Sequence, residues 1–285
     1  MSECFRNGGD VLRFGILTVS RPESLSAGRR AALRLRPGKG IRYGEGLFRT
    51  ALFVTADVTL PAGWPDSLAE KRVAAALRYL AGQGVQQAVL PERWQPLARE
   101  YGLVPIRTGW ALEACAARAV SEACSAAGQP LSGVVLAVCG RNLSRTACGE
   151  VLTLARSVRT VRVYGEGNES LRAQLWRSCG IVDRGPMPED VPVLCLRFAG
   201  GQAGTDALLT IDLSGEAPPA EGNVWVPQPL PPAGALGRMP PEVCPGAFAA
   251  ALLRCGAVQG REIRVSRLDI PGPTQYNKEI VENCL

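Results

Sequence analysis

Histidine is absent from all 285 residues of this chain. That absence excludes Ser-His-Asp triads, Cys–His dyads, imidazole metal ligands and imidazole acid–base chemistry. Any catalyst built here has to use carboxylates, Tyr, Lys, Cys or a bound cofactor. Lysine is scarce as well: Lys39, Lys71 and Lys278 are the three lysines among 32 basic residues, the others being arginine. Beside abundant Ala and Gly, this bias reads as the mark of a GC-rich genome rather than of selection for phosphate. No stretch approaches the ~20 consecutive apolar residues of a membrane span. The first ten residues lack a basic region followed by an apolar core, so no signal peptide is expected and the chain reads as cytoplasmic.

Cysteine is not scarce, but its spacing is uninformative. None of the ten cysteines forms a Cys-x-x-Cys pair. Most lie among Ala, Val and Leu, where a free thiol packs as a small hydrophobe in a reducing compartment. A four-thiolate zinc site lacks its ligand spacing, so no metal is expected.

What is present is an ordinary globular composition, 46% hydrophobic and 20% charged. A chain of this length forms one large domain or two modest ones. The net charge of +6 is mild and spread out, permitting anionic ligands without demanding nucleic acid.

Strand and helix patterns alternate along the chain. Val11 to Ser20 is a β-type run, and Gly46 to Leu60 reads as one long strand or two short ones. A helix opens with an Asp66 or Ser67 cap and runs to about Ala81. Val85 to Leu90 is a short strand, Glu92 to Tyr101 a short helix, Val104 to Ile106 a strand fragment, and Trp110 to Ala127 an Ala-rich helix. Pro130 to Gly133 marks a boundary, dividing residues 1–130 from 131–285. Beyond it, Val134 to Val138 is apolar throughout, as expected of a strand covered on both faces. Asn142 to Ala155 reads as a helix and Thr160 to Tyr164 as a strand. Asn168 is placed to cap a helix from Glu169 to Cys179, with Gly180 beyond its end. Val191 to Phe198 and Ala207 to Leu213 continue the strands. Residues 214–245 are Pro- and Gly-rich and read as an extended surface excursion around Trp225. A helix over 247–255 and a strand over 262–268 precede a polar tail. The expected fold class is α/β, with mostly parallel sheets and flanking helices.

The strongest local signal is the apolar strand running through Cys139 and Gly140 into Arg141, Asn142, Leu143, Ser144, Arg145 and Thr146, then a helix. A strand, tight turn and helix start gather unpaired backbone N–H groups at the carboxyl end of a sheet. With the helix dipole they attract phosphate or carboxylate. Asn142 and Ser144 are suited to cap the helix or touch the anion, and Arg141 and Arg145 to neutralise it. The bland alternative is a capped βα loop. Over residues 131–198 the arrangement resembles the first βαβ unit of Rossmann-like proteins. It lacks their Gly-x-Gly-x-x-Gly pattern, since Asn142 and Arg145 stand where further glycines would fall. By that resemblance Glu166, after the second strand, would accept hydrogen bonds from a ribose. Otherwise it is a solvated residue between Gly165 and Gly167.

Weaker candidates are Asp183 and Asp212 at strand ends, as acid–base groups or turn formers. The flexible loop Gly200 to Gly204 is another. Cys139 and Cys148 lie near the helix start, where a thiolate is favoured but no histidine serves as base. Arg29, Arg30, Arg34, Arg36, Lys39 and Arg42, near Tyr43 and Phe48, form a basic cluster that suits single-stranded nucleic acid or a solvated loop. Three functions remain: binding of a nucleotide, dinucleotide or other phosphate-bearing ligand; a non-catalytic assembly role, with a protein partner docking on the Pro-rich segment; and nucleic-acid binding.

Overall fold

The computed structural model describes residues 12–22, 40–181, 191–202, 207–216, 223–240 and 242–266. The chain forms two compact units, residues 1–107 with 231–259 and residues 108–230 with 260–285.

In the first unit, β1 (Leu12–Ser20), β2 (Ile41–Phe48), β3 (Ala51–Thr59), β4 (Gln87–Val89) and β5 (Val104–Pro105) form a sheet of order β2-β3-β1-β4-β5. Only the β2–β3 pair is antiparallel. The run from Gly46 to Leu60, expected as one strand or two, therefore crosses a hairpin: it holds the end of β2, the turn and all of β3. Its turn carries no Gly, Pro or Asn signal; Arg49 itself takes a left-handed φ of 54°. Helix α1 (Asp66–Gly82) buries Val73, Ala76, Leu77 and Leu80. Its N-cap is Pro65 with no side-chain cap, because Asp66 turns instead to Arg93. The short helix α2 spans Gln95–Glu100. Phe14 and Phe53 meet Phe248 of the later helix α8 (Pro245–Arg254) at ring-centroid distances of 6.0 and 5.5 Å. That aromatic contact ties the 231–259 segment, with its short helix α7 (Ala233–Leu236), to the first sheet.

The second unit begins earlier than residue 131. The Ala-rich segment is two helices, α3 (Gly109–Ala114) and α4 (Ala116–Ala126), broken at Cys115. Leu112, Ala116, Val120 and Ala123 share a core with Leu136, Val138 and Leu196, which is why residues 108–130 belong with the second sheet. That sheet holds β6 (Val135–Cys139), β7 (Thr160–Tyr164), β8 (Val193–Arg197), β9 (Leu209–Asp212) and β10 (Val224–Trp225). All of its pairings are parallel, in the order β10-β9-β8-β6-β7. Helices α5 (Arg145–Leu154) and α6 (Glu169–Cys179) make the two crossovers from β6 to β7 and β7 to β8. Counted from β6 the strand order is 2-1-3-4-5, so the direction of winding switches between β6 and β8, where sheets of this kind open a crevice.

Among the described residues of the Pro-rich segment, 225–231 are not a surface excursion. Trp225 is 9% exposed and packs in the second unit's core, and Pro227, Pro229 and Pro231 are buried at alternate positions. An extended chain presents every second side chain to one side, and proline keeps that geometry while losing only its N–H. Strand β11 (Pro229–Leu230) pairs with β12 (Arg264–Val265), antiparallel.

Candidate functional site

Strand β6 is buried at all five positions and delivers the turn at the carboxyl edge of the sheet. Residues 142–144 do not join the helix as expected. Asn142 adopts φ 48°, a left-handed conformation that asparagine tolerates, and α5 starts at Arg145. Ser144 is the N-cap; its Oγ accepts the Ala147 N–H at 3.1 Å and its hydroxyl donates to Glu113 Oε2 at 2.5 Å.

The turn's own amides are largely engaged. The Gly140 N–H donates to Tyr164 O (3.2 Å), Arg141 to Ala199 O (3.2 Å) and Asn142 to Glu166 O (3.1 Å). The Leu143 N–H donates to Asn168 Oδ1 at 3.1 Å. Asn168 is 2% exposed, and its Nδ2 donates to Gly140 O at 2.8 Å and Gly165 O at 3.5 Å. It sits at the N-cap position of α6, yet it makes no cap bond there, because its side chain fastens the neighbouring turn instead. Glycine makes the closeness feasible. A Cβ on Gly165 would lie 2.1 Å from Gly140 O, and one on Gly201 would lie 2.3 Å from Cys139 O. Loops 140–143, 165–168 and 198–201 are thus laced together across the switch point.

Among the described residues, the amides of Ser144, Arg145 and Thr146 have no partner. They form the open N-terminus of α5, with Arg141, Arg145 and Thr146 exposed beside them. Glu166 is exposed too, and contributes its backbone carbonyl rather than its carboxylate to the turn.

Of the weaker candidates, Asp212, Cys139 and Cys148 are committed elsewhere. Asp212 is 1% exposed and accepts from Arg197 Nη1 at 2.8 Å, and from the Ser214 N–H and hydroxyl at 3.0 and 2.6 Å. It is an ion-pair member, not a free acid or base. Cys139 and Cys195 place their sulfurs 3.6 Å apart; their shared hydrogen bond and burial push the Cys139 thiol far up. Burial, then the charge of Glu113, raises Cys148. A thiol held protonated is a poor nucleophile. Asp183, Ala203 and Gly204, like Arg29, Arg30, Arg34, Arg36 and Lys39, lie outside the described residues. Of the aromatics near that basic cluster, Phe48 is buried, while Tyr43 is exposed with one face against Tyr79 at a ring-centroid distance of 3.9 Å. Among the described residues no three metal-ligating side chains converge, and no helix is long and apolar enough to cross a membrane.

Sequence reasoning missed three residues: Asn168 as a fastener, and Arg197 with Glu216. Arg197 donates from Nε to Gly201 O (3.1 Å), from Nη1 to Asp212 and Ser214, and from Nη2 to Glu216 Oε2 (3.1 Å). An arginine ending an otherwise apolar strand was the signal available.

No family model matches the chain, and no curated protein matches it. Solved structures with distant similarity to the chain include two dehydrogenases. One is the hetero-hexameric glutamate dehydrogenase of Thermus thermophilus in a leucine-bound form, at 12% identity and TM-score 0.30, over 96% of this chain and 73% of that one. The other is the L-tryptophan dehydrogenase of Nostoc punctiforme, at 12% identity and TM-score 0.28, over 70% of this chain and 62% of that one. Likenesses this distant do not bear on the site.

Proposed function

We propose that the second unit binds a small ligand through a phosphate or carboxylate group at the N-terminus of α5. One observation carries the reading: three open amides, from Ser144, Arg145 and Thr146, face solvent beside exposed Arg141 and Arg145. Such a helix end attracts negative charge through its amides and dipole. The Gly140 to Leu143 amides are already donated, so the group recognised is a terminal anion and not a dinucleotide pyrophosphate lying along the turn. Glu166 stands exposed on the adjoining loop, available to a ligand hydroxyl. The role is binding, since Asp212, Cys139 and Cys148 are paired or held protonated. The test is thermal shift with inorganic phosphate, ATP and NAD. Phosphate or ATP at a hundredfold excess over Kd raises stability by about 2.7 kcal/mol, or roughly 5–10 °C. Arg141→Gln with Arg145→Gln abolishes the rise; no rise at millimolar ligand refutes the reading.

A non-catalytic assembly role is the second reading, favoured by Trp176 of α6, which is 63% exposed. With Trp225 buried, a partner surface would centre there and not on the Pro-rich segment. Light scattering of wild type and Trp176→Ser decides it. One monomeric species at every concentration for both removes self-assembly.

A further inference from the structure

The loop after β8 holds an anion already, and that anion belongs to the chain. The Glu216 carboxylate accepts from Arg197 Nη2 through Oε2 at 3.1 Å and from the Gly200 N–H through Oε1 at 3.3 Å. A guanidinium and a backbone amide sharing one carboxylate is the donor pair by which proteins hold oxyanions. We propose that Arg197 and the Gly200 amide form an anion subsite at the switch between β6 and β8, for a carboxylate- or phosphate-bearing ligand. Glu216 occupies that subsite as an internal stand-in until such a ligand displaces it.

Four features support this. First, Arg197 is fixed without Glu216: Gly201 O holds Nε, and Asp212 and Ser214 hold Nη1, so the cation stays aimed when the glutamate leaves. Second, the exposures are unequal. The Arg197 side chain is 11% exposed and the Asp212 side chain 1%, whereas Glu216 is 48% exposed and free to swing into water. Third, the exchange conserves charge. Asp212 already balances Arg197, so an incoming monoanion replaces the glutamate with no new buried charge. Fourth, a Cβ on Gly200 would lie 3.4 Å from Cβ and Cδ of Arg141, so the stem of a second cation runs over the loop. None of these donors is an α5 amide; Arg141 borders both places, but the donor pair of this subsite, Arg197 and the Gly200 amide, has no part in the ligand site proposed at α5.

The experiment is a titration of the 15N-labelled full chain with inorganic phosphate and, separately, malonate, following the Gly200 amide and Arg197 Nε resonances. In Glu216→Ala both resonances move and saturate, with a midpoint about tenfold below wild type, in which the anion has to displace the glutamate. Glu216→Gln keeps an oxygen for the Gly200 N–H without the charge, and falls between. Whichever anion has the lower midpoint identifies the class. Unmoved resonances in Glu216→Ala, or a midpoint equal to wild type, overturn the proposal. Should Glu216→Ala not fold, Glu216→Gln carries the test, and a wild-type midpoint there overturns it equally. Loss of fold in both shows a structural brace and overturns it too. Movement confined to Ser144 to Thr146 overturns this subsite while supporting the α5 site.

Discussion

Replacing Asn168 by alanine separates a fastened turn from an ordinary capped loop. The side chain is 2% exposed and satisfies the Leu143 N–H at 3.1 Å and Gly140 O at 2.8 Å. Alanine leaves both groups without a partner in a packed corner, where each unsatisfied group costs about 1–3 kcal/mol. The expected loss is therefore about 2–6 kcal/mol, or roughly 4–24 °C in Tm at about 2–4 °C per kcal/mol. Urea and thermal unfolding measure it, and amide exchange at Leu143 locates it. Asn168→Asp retains an acceptor for Leu143 but sets a carboxylate oxygen against Gly140 O. It should be destabilised at neutral pH and recover as the carboxyl protonates on acidification. A change in Asn168→Ala within about 0.5 kcal/mol, the range of ordinary surface substitutions, would refute the reasoning.

Gly165→Ala, at φ 100° with its Cβ 2.1 Å from Gly140 O, should cost about 3 kcal/mol or more, read by unfolding or loss of soluble protein. Gly149→Ala, in mid-helix with open space around it, should gain up to about 1 kcal/mol in the same assay. Burial raises the Glu113 and Glu150 carboxyls above their ordinary range, against the pull of Ser144 and the Ala117 N–H. Folding thus favours their protonated forms. That contribution is full below the unfolded carboxyl pKa and fades as pH rises through the folded values, so Tm should rise as pH is lowered through the folded values toward the unfolded one, and Glu113→Gln with Glu150→Gln should flatten that rise. Iodoacetamide at pH 8 should label exposed Cys244 first among the described cysteines, sparing Cys115, which burial pushes up to about 12; mass spectrometry reads the order.

The legible parts of this chain were those encoded locally. The all-apolar β6, the β7 run from Thr160 to Tyr164 and the α6 helix ending at Gly180, φ 67°, each carry their pattern within a dozen residues. The hairpin at Arg49 was hidden because an arginine fills a left-handed position without any turn signal. Trp225 was misplaced because proline-rich sequence was equated with exposure, although the extended chain buries alternate residues. At the candidate site, the turn, its cap Ser144 and its arginines were readable; the fate of the amides was not. The partners Tyr164, Glu166, Asn168 and Ala199 come from loops about 25–60 residues further along the chain. The same holds for Arg197, whose hold on Glu216 depends on how the strand ends are folded back.

Residue-resolved amide exchange across Gly140 to Thr146 tests the central claim most directly, since that claim is a division of seven amides into donated and open. Gly140, Arg141, Asn142 and Leu143 should exchange slowly, protected by Tyr164, Ala199, Glu166 and Asn168, while Ser144, Arg145 and Thr146 exchange fast and become protected on adding phosphate. Uniformly fast exchange over all seven, or phosphate protection that falls on Gly140 to Leu143 instead, would contradict it.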